Sequence, residues 1–305
     1  MQVKDDVGLR GEVLIEVVNA KTGAVEEIHQ YNALTSAFKQ AVASLIANGS
    51  ISRPTHIALG TGSGSTAEYD ASNQDTNKVL KSTGADQRLG QKFNLGAVST
   101  TSVQYFALWM KRIGSSLGSI YLEVWTNSAG APGALLGTSV SVNADGLGTS
   151  YDWAVFQFAP ALSLSASTDY WLVLRSSTYT YSAAATEIIL GTDASSPPSN
   201  QMVSYDGSTW SAVANTACFR TAVVHGASDT ALAGETLRKA LTSGSAVGTQ
   251  ARLLANFTTS ENNDFIGEVG LFNAASGPSM HAVITTAFRK TNQQAVNVYW
   301  LINVL

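Results

Sequence analysis

The sequence predicts a mainly β protein: a discontinuous α+β domain of antiparallel strands plus one helix, with a β-sandwich or jelly roll inserted in it. Three observations carry this. Short runs rich in Val, Ile, Tyr, Phe and Trp recur between connections bearing Gly and Pro, the texture of strands. Only "YNALTSAFKQAVASLIANG" has its apolar residues at three- and four-residue spacing, the period of a helix. The texture also changes on either side of residues 67–226, leaving two flanks that each read as part of a domain.

Taken in order, "GEVLIEVVN" reads as a strand, and "KTGAVEEIH" turns at Gly23 into a second, making a hairpin. In the helix, Leu34, Phe38, Val42 and Leu45 fall on one face, so it is expected over residues 34–47. Asn32 or Thr35 can cap its start, because a short polar side chain accepts an orphan backbone N–H. Asn48-Gly49 supplies a left-handed stop. "PTHIALG" is a short strand. Residues 67–92 have weak periodicity and read as a linker or irregular strand. From Phe93 the runs "VQYFALWMKRIG", "SIYLEVWTN", "DWAVFQFAP", "DYWLVLRSS" and "TEIILGT" read as strands. "QMVSYDGSTWSAV" reads as a hairpin turning at Asp206-Gly207, and "ACFRTAVVHG" closes the set. Such a series suits a sandwich or jelly roll. After Gly226, "TQARLLANFTTSEN", "DFIGEVGLFNA", "PSMHAVITTAFRKT" and "AVNVYWLINVL" form an antiparallel set. Val296, Val298, Trp300 and Ile302 alternate there with Asn297, Tyr299, Leu301 and Asn303, so both faces are largely apolar. This strand is expected to be central, or covered by the helix or another subunit.

The glycine run "HIALGTGSGST" invites comparison with a phosphate cradle. A P-loop needs a lysine after its last glycine, and a dinucleotide fingerprint needs a helix directly after the glycines. Residues 60–66 contain no lysine, and no helical pattern follows. The first flank has too few strands for its own core, and the second has strands but no helix. The glycine run is therefore read as a joint, where an exposed small-residue loop accepts an inserted domain. Residues 1–66 and 227–305 make the discontinuous domain, and residues 67–226 the insert.

With these segments identified, a resemblance can be stated. "YNALTSAFKQAVASLIANG", "PTHIALGTGSGST", "SDTALAGETLR", "ANFTTSENNDFIGEVGLFNAASG" and "AVNVYWLINVL" resemble a group of tailed-bacteriophage virion proteins of tail or baseplate type. The insert, through "QKFNLG", "LWMKRIGSSLGSIYLEVWTNSAGAPGALLG" and "LSLSASTDYWLVLRSS", resembles jelly-roll modules of bacterial surface and phage proteins. The resemblance implies location in the virion, anchoring by the outer domain among other virion proteins, and an outward-facing binding or display module. By the same analogy it implies a homo-oligomer, a trimer rather than a dimer.

Composition narrows the chemistry. The chain has 305 residues, with 18 Lys+Arg against 22 Asp+Glu and a net charge of -4, which speaks against a nucleic-acid groove. No run suits a membrane span, and the N-terminal stretch lacks the apolar segment of a signal peptide. Export by lysis or within a particle is the expectation. Cys218 lies in an apolar strand pattern and reads as buried and inert. His29, His56, His225 and His281 show no metal spacing, although His56 and His225 flank the insertion and could converge. No metal or other cofactor is expected. Asp70, Asp75, Asp86 or the acidic loops of the insert are the places to watch for calcium, but no run has the alternating oxygen ligands of a dedicated loop.

Glu123 and Glu187 lie mid-strand, and a glycosidase needs two carboxyls across a cleft. Nothing in the spacing makes these two face each other, and Glu123 is expected on an outer face. Trp109, Trp125 and Trp171 read as packing between sheets. Loop aromatics are different, because a ring can stack on the apolar face of a sugar while neighbouring polar groups take its hydroxyls. Tyr179, Tyr181, Tyr205, Asp206 and Trp210 are the candidate ligand-binding residues. Tyr299 and Leu301 are the candidate oligomer contacts. The expected function is that of a non-enzymatic virion structural protein of tail, tail tip or baseplate. The alternatives are a host-surface polysaccharide-binding module, a capsid decoration or head-fibre protein and, last, a tail-associated glycan hydrolase.

Overall fold

The computed structural model describes residues 9–36, 38–42, 53–62, 69–81, 87–97, 102–115, 117–176, 181–195, 202–225 and 228–304. Among the described residues the protein is mainly β, with several sheets and one short α-helix. By density of contacts it divides into two compact units, Met1–Gly62 with Val224–Leu305, and Ser63–Val223.

In chain order the first unit begins with β1 (Leu9–Asn19), β2 (Val25–Leu34) and β3 (His56–Gly60). The second unit holds β4 (Thr76–Leu80), β5 (Arg88–Asn94), β6 (Ser102–Ile113), β7 (Ser119–Ser128), β8 (Ala131–Thr138), β9 (Val142–Asn143) and β10 (Asp152–Ser163). It continues through β11 (Asp169–Ser176), β12 (Glu187–Asp193), β13 (Met202–Tyr205), β14 (Trp210–Val213), β15 (Thr216–Ala217) and β16 (Phe219–Val223). The first unit then resumes with β17 (Glu235–Ala240), β18 (Ser243–Val247), β19 (Gln250–Phe257), β20 (Phe265–Phe272), β21 (Met280–Arg289) and β22 (Gln294–Val304).

Among its described residues the first unit holds a nine-stranded sheet in the order β17-β3-β20-β21-β2-β1-β22-β19-β18. All its pairings are antiparallel. Alternation sends Val13, Ile15 and Val17 of β1 to the same side as Val296, Val298 and Trp300 of β22, as a period of two requires. Leu59 of β3, Val269 of β20 and Ile284 of β21 join the same apolar cluster. The two ends of the sheet thus share one core. β22 is central, between β1 and β19, with one face buried and Tyr299 and Leu301 half-buried on the other.

The helix differs from expectation at its start. Leu34 ends β2, pairing with Ala282, and the helix begins at Ser36. Residues 43–47, expected to carry its far end, lie outside the described residues. Of the two candidate caps, Thr35 performs the role: its Oγ1 accepts from the Phe38 N–H at 3.2 Å. The same hydroxyl donates to the carbonyl of His281 at 2.8 Å, tying the helix start to β21. Asn32 remains in β2, opposite Gly11.

The second unit has two sheets. One runs β10-β6-β12-β15, with β16 on β6 and β4 on β12; the other runs β14-β13-β5-β11-β7-β8, with β9 on β7. Phe93 of β5 meets Phe106 of β6 at 5.3 Å and Phe219 of β16 at 6.4 Å between ring centroids, so an aromatic core joins the sheets. Gln91 adds a buried polar tie, accepting from the Ala217 N–H at 2.6 Å. Residues 67–92, expected to be a linker or irregular strand, instead contribute β4 and most of β5. β4 pairs with β12 from Thr76 to Leu80. Its polar residues hide a strand whose order comes from pairing rather than from its own pattern.

Candidate functional site

The candidate site lies on the face of the β14-to-β8 sheet turned away from the Phe93–Phe106 core. Two strands show how it arises. In β11, Tyr170, Leu172 and Leu174 share the core face, so Trp171, Val173 and Arg175 must take the other. In β7, Leu122 and Val124 go inward, and Glu123 and Trp125 go outward. Register then assembles the outward residues. Trp171 lies opposite Trp125, and Val173 opposite Glu123. Trp210, Tyr205, Arg88 and Arg175 fall in one row across four strands. Trp125 and Trp171, expected between sheets, are therefore on this outward face. Trp109 also alternates away from Phe106, stacking on Tyr151 at 6.2 Å.

The centre of the face is packed and the margin is open. Trp171 is buried with Val173 and Val203, and Trp125 and Trp210 pack against them. Gly90 permits this: a Cβ there would come within 2.8 Å of Val203 Cγ2 and 3.5 Å of Trp210. Tyr205 and Trp210 remain half-buried, their rings 4.9 Å apart and tilted by 41°. The guanidinium of Arg88 lies 5.3 Å from the Tyr205 ring centroid and 5.5 Å from that of Trp125, within cation–π range. Glu123 is on the outward face as expected, yet only 3% exposed. It accepts from Arg175 Nη1 and from Trp125 Nε1, each at 3.0 Å, and Arg88 Nη1 stands 3.9 Å away. These charged and aromatic groups hold one another in place, so the half-buried Tyr205 and Trp210 rings sit on a fixed base.

The other candidates are dispersed. Asp206 is exposed in the β13–β14 turn, where its carboxylate accepts from the N–H and hydroxyl of both Ser208 and Thr209 at 2.8–3.2 Å. The backbone N–H bonds foremost, then the Ser208 hydroxyl, hold its acidity at about 2. Its oxygens shape the turn that presents Trp210. Tyr181 lies on a different turn, near Lys81 at 5.7 Å, and Tyr179 lies outside the described residues. Tyr299 and Leu301 face away from the first unit's core; Leu301 borders a shallow depression with Glu12, Leu14, His29 and Tyr31. Of the site residues, Arg88 and Trp125 were missed by sequence reasoning. Arg88 lies in the stretch read as a linker or irregular strand, and Trp125 faces opposite to the expected side. The signal for both is the strand register, which places them beside Tyr205.

The histidines flanking the insertion do not converge. His56 bonds Thr55 Oγ1 at 2.8 Å, at the end of β3 opposite Phe272, whereas Glu268, the partner of His225, lies opposite Gly60 at the other end. His225 is buried between two carboxylates, with Nε2 2.5 Å from Glu268 and Nδ1 2.9 Å from Asp229. Burial alone would lower its proton affinity; the bonds to Asp229 and Glu268 reverse this and push its pKa up to about 9. Glu268 is also held by the N–H groups of Ala233 at 3.0 Å and Gly234 at 2.7 Å. This cluster secures the chain just after it re-enters the first unit. Asp70 pairs with Arg220 and caps a short 3-10 turn through Ser72; Asp75 accepts from the N–H groups of Ala194 and Ser195. Asp86 lies outside the described residues. Among the described residues no group of three His, Cys, Asp or Glu is placed to hold a metal ion. Cys218 is buried, and burial foremost pushes its thiol up to about 12. In comparisons with known proteins, no family model and no curated protein matches the chain.

Proposed function

We propose that this chain is a non-enzymatic structural protein of a tailed-phage particle, of tail, tail tip or baseplate. On this reading the first unit anchors it among other virion proteins. The second is a β-sandwich of jelly-roll type that presents a binding face to host-surface polysaccharide. The carrying observation is the half-buried Tyr205–Trp210 pair beside Arg88, on a base fixed by Trp171 and Glu123. A pyranose has an apolar face of C–H groups that suits an indole or phenol ring, and its hydroxyls suit Arg88. A base already ordered before binding loses little entropy when ligand arrives. The resemblance of the outer segments to virion proteins supports the anchoring role.

Hydrolysis is the poorer reading. Glu123 is committed to Arg175 and Trp125, and Glu187 belongs to a strand of the other sheet. The capsid alternatives, decoration protein or head fibre, would use the same surfaces at a different place on the particle.

The test is a glycan array of host-surface polysaccharides probed with the wild-type chain and Trp210→Ala. Binding is expected to fall at least about tenfold, equivalent to about 1.4 kcal/mol, with an unchanged circular dichroism spectrum. No binding by the wild type to any surface polysaccharide would remove the binding role. Antibody labelling of particles in micrographs tests the anchoring role, with label on the tail expected; label on the head would move the assignment to the capsid.

A further inference from the structure

Lys290 directly follows β21, and its side chain is completely buried. The one hydrogen bond described for its Nζ runs to Asn263 Oδ1, at 2.9 Å. A buried ammonium ordinarily has a carboxylate partner, because leaving the charge unmatched in a poorly polarisable interior is costly. Glu261 is the carboxylate whose charge reaches it. That group is already engaged with Lys239 Nζ at 2.8 and 2.9 Å and with the Thr258 N–H at 2.7 Å. Burial accordingly lowers the amine below the ordinary lysine range, with Glu261 only partly opposing it. A larger share of uncharged amine means a larger share carrying a free lone pair.

The amine donates to Asn263 Oδ1, and the carbonyl carbon one bond beyond that oxygen is the atom a lone pair would attack. Asn263 is exposed as a residue, while its Oδ1 meets the buried amine. The backbone brings the two residues together independently of their side chains, since the Lys290 N–H donates to the Asp264 carbonyl at 3.0 Å. The torsion that orients an asparagine carboxamide is soft, so a turn about it sets the face of the amide, rather than its oxygen edge, toward the amine. Holding two reacting groups in contact replaces a bimolecular encounter by an intramolecular one.

We infer that Lys290 and Asn263 react with each other to form an amide bond that crosslinks the segment preceding β20 to the end of β21. The Nζ lone pair attacks Cγ, and the carbonyl electron pair moves onto Oδ1. As the carbonyl re-forms, the Cγ–Nδ2 bond breaks, and Nδ2 leaves with a proton originating on Nζ, as ammonia. One C–N bond forms, one breaks, and nothing is oxidised or reduced. Glu261 is the group placed to influence the proton transfer by its charge.

Intact-mass spectrometry on the purified full-length chain tests this. The expected mass is that of the sequence less one ammonia, and digestion is expected to release a branched peptide joining the Asn263 and Lys290 segments. Lys290→Arg should restore the full mass. Because a buried arginine can compromise folding, Asn263→Ser, a change at an exposed position, is the second variant and should also restore it. A wild-type chain at full mass after prolonged incubation at mildly alkaline pH would overturn the inference. So would an ammonia loss that persists in Asn263→Ser or maps to another residue.

Discussion

Single residues in this protein are placed by charge as much as by shape. Glu123 and Glu268 are each buried carboxylates with nitrogen partners on more than one side. His225 gives the clearest solution consequence. Its pKa rises from 6.5 unfolded to about 9 folded, so the folded state binds the extra proton. Its contribution to stability is complete below pH 6.5 and is lost as pH rises through about 9. The urea midpoint of the first unit should therefore fall between neutral pH and about pH 10, with a smaller fall in His225→Gln. That variant should be weaker at neutral pH by about 3–5 kcal/mol, the usual cost of removing one member of a buried pair. Equal pH slopes in the two proteins would disprove the role. This cluster was not legible in the sequence: His225, Asp229 and Glu268 follow no motif spacing, and only the pairing of β20 with β3 brings Glu268 to them.

At the scale of elements, legibility followed the chemistry of alternation. The β1–β2 hairpin could be read because its inward positions are apolar and its turn contains Gly23, which has a positive φ of 70°. The helix start was misread because Leu34 continues the spacing of Phe38 and Val42, although β2 needs Leu34 for its pairing with Ala282. β4 and β18 could not be read, since Thr-Asn-Lys and Ser-Gly-Ser carry no apolar rhythm. The Trp171 face was hidden for the opposite reason. In β11 both faces are apolar, and alternation alone cannot say which one meets the other sheet. The glycine run from Gly60 carries no phosphate-loop lysine, but the tightness of its surroundings was invisible in the sequence. A Cβ at Gly60 would approach Glu268 Oε1 to 2.4 Å and the Gly234 carbonyl to 2.7 Å. Gly60→Ala should thus destabilise the first unit by about 1–3 kcal/mol, as overpacking does. Gly146→Ala, where a Cβ would meet nothing within 4 Å, is the control and should leave the urea midpoint unchanged.

For the whole molecule, the face of β22 that carries Tyr299 and Leu301 bears on assembly. Leu14 lies opposite Tyr299 on β1, and Leu254 opposite it on β19, so an apolar row crosses the sheet outside its core. The proposed homo-oligomer, a trimer by analogy with the proteins it resembles, would cover this row. Burying a leucine-sized side chain there would contribute about 1.5–3 kcal/mol. Light scattering at micromolar concentration should give a multiple of the monomer mass, shifted toward monomer in Leu301→Asp. A monomer mass for the wild type would refute it. The same strand has a further consequence, for the order of synthesis. β22 is made after every strand it joins, yet it sits between β1 and β19. While the chain is still on the ribosome, β1 and β19 each present an edge of unpaired backbone awaiting the same partner, and such edges recruit other chains. The second unit contains no part of β22, so it can mature during translation. The first unit has to wait until β22 is made, and crowded polysomes are where its misassembly should begin.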